Sequence, residues 1–133
     1  MLVPILAGAV LGGLLCMVAR RRRVPDEMRI LAVGLAVAAL IYVGFALAGA
    51  DRRWLAIEAV GLAGFAGIAW LGLRGSAWWL ALGWAVHAGW DVGLHLDRAQ
   101  SIVGAWYPLS CVGFDLVVAG FVLSAAAAVG PRH

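Results

Sequence analysis

The sequence predicts an all-α, polytopic membrane protein built as an antiparallel bundle of five transmembrane helices. Hydrophobic residues make up 65% of the 133 residues, and the mean hydropathy is +0.98. Charged residues amount to 13% of the chain, about half of the ~25% that is usual in globular proteins. Apolar stretches of about 20 residues follow one another, and this is the length that crosses a ~30 Å hydrocarbon core as a helix.

Five spans are predicted, at residues 2–19, 28–50, 54–73, 77–96 and 108–129. The first span ends at a run of four arginines, residues 20–23. The links at 51–53 and 74–76 are too short to hold a domain, and short links join antiparallel neighbours. All of residues 1–133 are therefore expected to form one transmembrane bundle in the lipid bilayer.

The arginines predict the orientation of the bundle. The chain has no lysine, and all ten basic residues are arginines. If the loop at 20–23 is cytoplasmic, that side carries seven arginines and the opposite side carries three, as the positive-inside rule requires. We therefore expect a multi-pass protein of the inner (plasma) membrane with its N-terminus outside and its C-terminus in the cytoplasm. No folded basic surface accompanies the arginine run, so nucleic acid is not an expected partner.

The fourth span contains the most informative segment, GWAVHAGWDVGLHL at residues 83–96. It places His87, Asp91 and His95 at spacings of four, so all three lie on one side of a helix. A charged group at the bilayer centre costs roughly 2.5 to 3.5 kcal/mol on insertion scales, and such groups usually face a protein interior or a wet cavity. This polar stripe is the main evidence for a function.

Small residues predict where helices approach one another. Ala81, Ala85, Gly89 and Gly93 lie opposite the polar stripe, which predicts a central fourth helix with neighbours on both sides. Gly8 and Gly12 form a GxxxG motif in the first span. Such motifs allow close helix contacts either within the bundle or between copies in a homo-oligomer, and packing within the bundle is the favoured interpretation.

Neighbouring spans supply further polar residues, namely Glu58 in the third span and Cys111 and Asp115 in the fifth. Alternating threading brings the starts of these two spans and the end of the fourth to the same side of the membrane. The polar residues are therefore expected at similar depths, with His87 near the middle of the bilayer and the others in its outer half, namely Glu58, Asp91, His95, Cys111 and Asp115. Left unpaired, the buried acids and histidine would cost on the order of 10 kcal/mol, so they must meet one another, water or an ion.

These residues form the predicted site. The predicted catalytic residues are His87, Asp91 and Asp115. The predicted metal ligands are His87, Asp91, His95 and Asp115. The predicted supporting residues are Glu58, Cys111, Trp84 and Trp90. Imidazole and carboxylate ligands indicate a divalent transition metal such as zinc, iron or manganese.

Helix geometry limits the ligand sets. His87 and His95 are about 12 Å apart along a helix axis, so both cannot bind one ion together with Asp91. A tight site would combine Asp91 either with His87 and Asp115 or with His95 and Glu58.

Three kinds of function fit this pattern. The first is a small metal-assisted membrane enzyme that acts on a lipid or another amphiphile. The second is a component for proton- or ion-coupled transport or binding, because a ladder of titratable groups also forms a relay. The third is a structural or assembly subunit whose polar residues only fix helix packing. No HExxH, GxSxG or CxxC motif selects among them.

The polar pattern resembles a family of small bacterial integral-membrane proteins of unknown function. The resemblance lies in an HxxWDxxxH helix followed by a P-x2-CxxxD helix, with a glutamate in an upstream span. The corresponding residues here are Glu58, His87, Trp90, Asp91, His95, Pro108, Cys111 and Asp115. Family members carry two adjacent histidines where this chain has His95 and Leu96. The resemblance implies that these residues act as one unit, and it implies no particular activity.

Overall fold

A computed structural model of the chain describes residues 1–49, 51–96 and 104–129. Of these described residues, 91% are helical and none lies in a strand. They form five α-helices, namely α1 (Leu2–Arg20), α2 (Val24–Ala48), α3 (Arg52–Arg74), α4 (Ala77–Trp90) and α5 (Trp106–Val129). Four of them, α1, α2, α3 and α5, are long and apolar enough to cross a membrane. The predicted helical membrane fold is thereby confirmed.

The fourth segment differs from the uniform α-helix that the sequence predicts. Its 14-residue α-helix is continued by a five-residue π-helix, Asp91–His95. A π-helix bonds each amide to a carbonyl five residues earlier, so it has a wider turn. It occurs mostly as a single turn within an α-helix, frequently at a functional site. This turn contains two of the three polar residues of the stripe.

Local signals account for the helix ends. The second helix begins at Val24, four residues earlier than predicted, because Pro25, Asp26 and Glu27 suit a first helical turn. The third begins at Arg52 because the Asp51 carboxylate accepts hydrogen bonds from the next backbone amides, at 2.9 and 3.1 Å.

The helices form a ring in the order α1, α5, α4, α3 and α2, and α4 also contacts α2 across the ring. Consecutive helices are antiparallel, whereas α1 and α5 run parallel. Gly8 lies against Ser110, and Gly12 lies against Phe114 one turn further along both helices. This arrangement surrounds the polar side of α4 with α2, α3 and α5.

Glycines allow α1 and α5 to touch backbone to backbone. A Cβ atom at Gly8 would collide with the carbonyl oxygen of Ser110, and one at Gly113 would collide with the carbonyl oxygen of Ile5. The GxxxG motif of the first span therefore faces α5 within the bundle, which agrees with the favoured interpretation.

The small side of α4 corrects one expectation. Ala81 is buried as expected, whereas Ala85, Gly89 and Gly93 are exposed, and a Cβ atom at either glycine would meet nothing within 4 Å. From Ala85 onward, this side of the fourth segment therefore meets the surroundings of the bundle. A surface of alanine and glycine is apolar enough to face lipid.

We expect Gly12→Ala to destabilise the bundle, because its Cβ atom would lie 2.7 Å from the carbonyl oxygen of Phe114 and one backbone would have to shift. Overpacking of this kind costs about 1–3 kcal/mol. The matched control is Gly13→Ala on the same helix, where a Cβ atom meets nothing within 4 Å. Thermal unfolding in detergent, followed by circular dichroism, measures both. Equal stability of the two variants would contradict the packing of α1 on α5.

Candidate metal centre

The core of the site is a buried group of three side chains, His87 and Asp91 from the fourth segment and Asp115 from α5. Their possible ligand atoms all lie within 4.8 Å of one another. Nδ1 of His87 lies 2.7 Å from Oδ2 of Asp115 and 3.6 Å from Oδ2 of Asp91. None of the three residues is more than 1% exposed. One imidazole and two carboxylates therefore converge in the buried interior of the bundle.

Tyr42 of α2 makes a strong hydrogen bond to this group. Its hydroxyl donates to Oδ1 of Asp91 at 2.5 Å, and both residues are buried. The bond is at the short end of O–H···O geometry, as expected when the acceptor is a carboxylate. The other oxygen of Asp91, Oδ2, lies within ion-pair distance of His87 but too far for a hydrogen bond, and it accepts no hydrogen bond within the described part of the chain.

A second polar group lies beside the first, toward the end of the fourth segment. Nε2 of His95 lies 3.0 Å from Oε1 of Glu58, as an ion-pair contact rather than an aligned hydrogen bond. The Trp90 indole donates to Oε2 of Glu58 at 3.3 Å. Gly61 makes room for that indole, since a Cβ atom there would lie 2.7 Å from the ring. Glu58 thus holds two side chains from the fourth segment.

The π-turn keeps these residues on one side of the helix. In an α-helix, residues four apart drift by about 40°, so His95 would lie about 80° from His87. The wider π-turn advances each residue by less than ~100°, which counters that drift. Asp91 and His95 are both buried as a result.

Aromatic rings enclose both polar groups. The Phe65 ring meets His87 edge-on with centroids 4.8 Å apart. The Tyr42 ring stacks on His95 with centroids 3.8 Å apart and planes inclined by only 8°. Tyr107 meets the edge of Tyr42 at 5.9 Å. Rings in place of water lower the local dielectric and strengthen every electrostatic interaction inside the site.

The two groups contain more potential negative charge than positive charge. Three buried carboxylates, of Glu58, Asp91 and Asp115, face only two imidazoles, so one carboxylate is unbalanced even with both imidazoles protonated. The arginines within residues 1–49, 51–96 and 104–129 are all exposed at or near helix ends, and none pairs with these carboxylates. The arrangement therefore suits a bound cation or additional protons.

The structure separates the predicted site residues into distinct places. His87, Asp91 and Asp115 form the first group, and His95 lies outside it with Glu58 and Trp90. Cys111 is a half-buried free thiol one turn before Asp115, outside the group of close ligand atoms.

Trp84 lies in the apolar core, against Phe114 with centroids 5.7 Å apart. Its indole nitrogen has no hydrogen-bond partner among the described residues. The described contacts therefore do not connect Trp84 with either polar group.

Sequence reasoning missed Tyr42, which contacts both polar groups. A signal was present, because Tyr42 carries a polar group inside the otherwise apolar span at 28–50. A buried tyrosine hydroxyl usually finds a partner. The partner was not predictable, because Tyr42 and Asp91 are 49 residues apart in sequence.

Comparison with known proteins identifies a family. Residues 2–128 match a family of unknown function, DUF6010. The match covers nearly the whole chain, so the protein belongs to this family, which confirms the predicted membership in a family of unknown function. No curated protein and no solved structure matches the chain.

We expect Trp90→Phe to destabilise the protein by about 1 kcal/mol, because Glu58 loses a hydrogen-bond donor while the ring is kept. The matched control is Trp78→Phe, the same change at an exposed tryptophan of α4. Denaturant titration in mixed micelles, followed by circular dichroism, gives the free energy of unfolding of each variant. A loss at Trp78 as large as that at Trp90 would show that the indole bond to Glu58 contributes nothing specific.

Proposed function

We propose that the protein is a small metal-assisted membrane enzyme that binds a divalent transition metal between His87, Asp91 and Asp115. One observation carries this proposal, namely the convergence of three buried ligand atoms within 4.8 Å. Oδ2 of Asp91 supports it, because this buried oxygen accepts no hydrogen bond from any described residue, and a carboxylate oxygen without a donor is costly unless a proton or cation is bound.

The donor set selects the class of metal. One imidazole nitrogen and two carboxylate oxygens suit zinc, iron or manganese, and these ions bind such ligands at about 2.0–2.2 Å. Cys111 lies outside the close group, so no thiolate shifts the preference toward a softer ion. Two carboxylates also balance the double charge of the cation.

Three protein ligands favour catalysis over a structural role. Structural zinc sites use four protein ligands, whereas catalytic sites use three and keep a position for water or substrate. When bound, such an ion activates water as a nucleophile and polarises a carbonyl or phosphoryl oxygen. The ligands belong to helices of a membrane-spanning bundle, so the substrate we propose is a lipid or another amphiphile that reaches them from the bilayer.

We place the site in the outer half of the plasma membrane. The candidate site lies toward the end of the bundle at which α3 and α5 start and α4 ends, which we call the site end. The exposed arginines 20–23 lie at the opposite end. The positive-inside rule places those arginines in the cytoplasm. Arg98 and Arg132, which also enter the arginine count, lie outside the described residues.

A phosphatase–galactosidase reporter fused after His133 tests this orientation. We expect cytoplasmic activity, because α5 runs from the site end toward the arginine-rich end. The control fusion is placed after Gly75, in the link between α3 and α4, which should also report cytoplasm. A periplasmic signal from both fusions would move the site to the inner half of the membrane.

We expect detergent-purified protein to retain close to one equivalent of zinc, manganese or iron after loading and desalting. His87→Ala and Asp91→Ala should each abolish this binding, because two ligands hold an ion far more weakly than three. Metal analysis by mass spectrometry measures the stoichiometry.

The matched control for the metal experiment is Glu27→Gln, which removes a buried carboxylate of α2 outside the candidate site. This variant should retain the metal. Absence of metal from the wild type under every loading condition would contradict the proposal, as would metal retained in both ligand variants.

A further inference from the structure

Tyr42 is positioned to connect the two polar groups of the bundle. Its hydroxyl reaches Asp91, one of the three proposed metal ligands, and its ring lies flat against His95, the partner of Glu58. It belongs to α2, whereas both contacts are in the π-turn. One side chain thus contacts the first and the last residue of that turn.

We propose that Tyr42 is a positioning residue for the metal centre, which orients Asp91 and couples the metal to the Glu58–His95 pair. This inference rests on the proposed function, because it concerns ligands of the same ion. Residues that hydrogen-bond to metal ligands fix ligand orientation, and their removal commonly lowers metal affinity by 10–100-fold.

The two oxygens of Asp91 have different surroundings. Oδ1 accepts the hydrogen bond from Tyr42, whereas Oδ2 faces His87 at 3.6 Å and has no hydrogen-bond partner in the described residues. The Tyr42 hydroxyl therefore binds Oδ1 and leaves Oδ2, the oxygen nearer to His87, available to coordinate a metal ion. Without the hydrogen bond from Tyr42, the carboxylate of Asp91 could rotate about its Cβ–Cγ bond. Its two oxygens would then no longer be held in different surroundings.

Neighbouring rings fix the direction of the Tyr42 hydroxyl. His95 covers one face of the ring at 3.8 Å, and Phe45 and Tyr107 meet it edge-on at 6.1 and 5.9 Å. These edge-on distances are typical of favourable aromatic pairs. Because Glu58 holds His95, displacement of either residue loosens the tyrosine that orients Asp91.

Cobalt titration of the folded, full-length protein in detergent tests this role, with visible absorption reporting the bound ion. Tyr42→Phe keeps the ring and removes only the hydroxyl, so we expect 10–100-fold weaker cobalt binding. The control is Ser124→Ala, which removes an exposed hydroxyl of α5 that donates to the carbonyl oxygen of Phe121 outside the site, and which should leave the affinity within about twofold. Circular dichroism and gel filtration verify that each variant is folded.

A double-mutant cycle tests the coupling. His95→Leu removes the stacking partner and should weaken cobalt binding by less than Tyr42→Phe does. The two changes together should be non-additive, because both act through the orientation of Asp91. Additive losses would overturn the coupling, and wild-type affinity in Tyr42→Phe would overturn the positioning role.

The outcomes separate this inference from the function on which it rests. A wild-type protein that binds no cobalt, zinc, manganese or iron overturns both. If the wild type binds cobalt and Tyr42→Phe binds it equally tightly, only the role of Tyr42 is overturned. Equal losses in Tyr42→Phe and Ser124→Ala would also overturn it, because the effect would then not depend on the bond to Asp91.

Discussion

The proximity of two buried carboxylates, of Asp91 and Asp115, is the constraint on which the rest of the site depends. Their oxygens lie within 4.8 Å of each other, and neither residue is more than 1% exposed. Two like charges at this separation repel by roughly 3–4 kcal/mol at an effective dielectric constant of about 20, and by more in an apolar bundle. A bundle with this arrangement is stable only if protons or a cation reduce that repulsion. One nitrogen of His87 faces both carboxylates, so a proton on this nitrogen reduces their repulsion. The proposed metal ion would reduce it in the same way.

The helix packing holds these groups in place. Glycines let α5 lie directly on the backbone of α1, and Asp115 lies two residues after one of them, Gly113. On the opposite side, Tyr42 fixes Asp91 from α2, and Glu58 fixes the end of the fourth segment from α3. Each neighbour of α4 thus contributes a polar contact. Buried polar groups are costly when some of their hydrogen bonds are not made. Only a helix register that makes all of these bonds avoids this cost, so the polar contacts also fix the register of the helices.

The fold was largely predictable because the length of each apolar segment matches the thickness of the hydrocarbon core of a membrane. Predicted helix ends differed from those observed by a few residues; the Asp51 cap, for example, starts the third helix two residues earlier than predicted. The site was predictable in part. The residue spacing and the alternating direction of the spans predicted that Glu58, His87, Asp91 and Asp115 lie near one another. The rise per residue of a helix excluded one ion bound by both histidines. The π-turn and the small exposed side of α4 were not predictable, because both depend on which neighbours α4 has.

By itself, the sequence determined that this protein is a helical membrane bundle with ionisable residues in its interior. That much follows from composition and periodicity, which are local properties. Only the tertiary structure decided which of those residues meet. It separated His95 from His87, joined Asp115 to His87, and placed Tyr42 between the two polar groups. These contacts join residues 28 to 53 positions apart on different helices, and only helix packing brings such residues together.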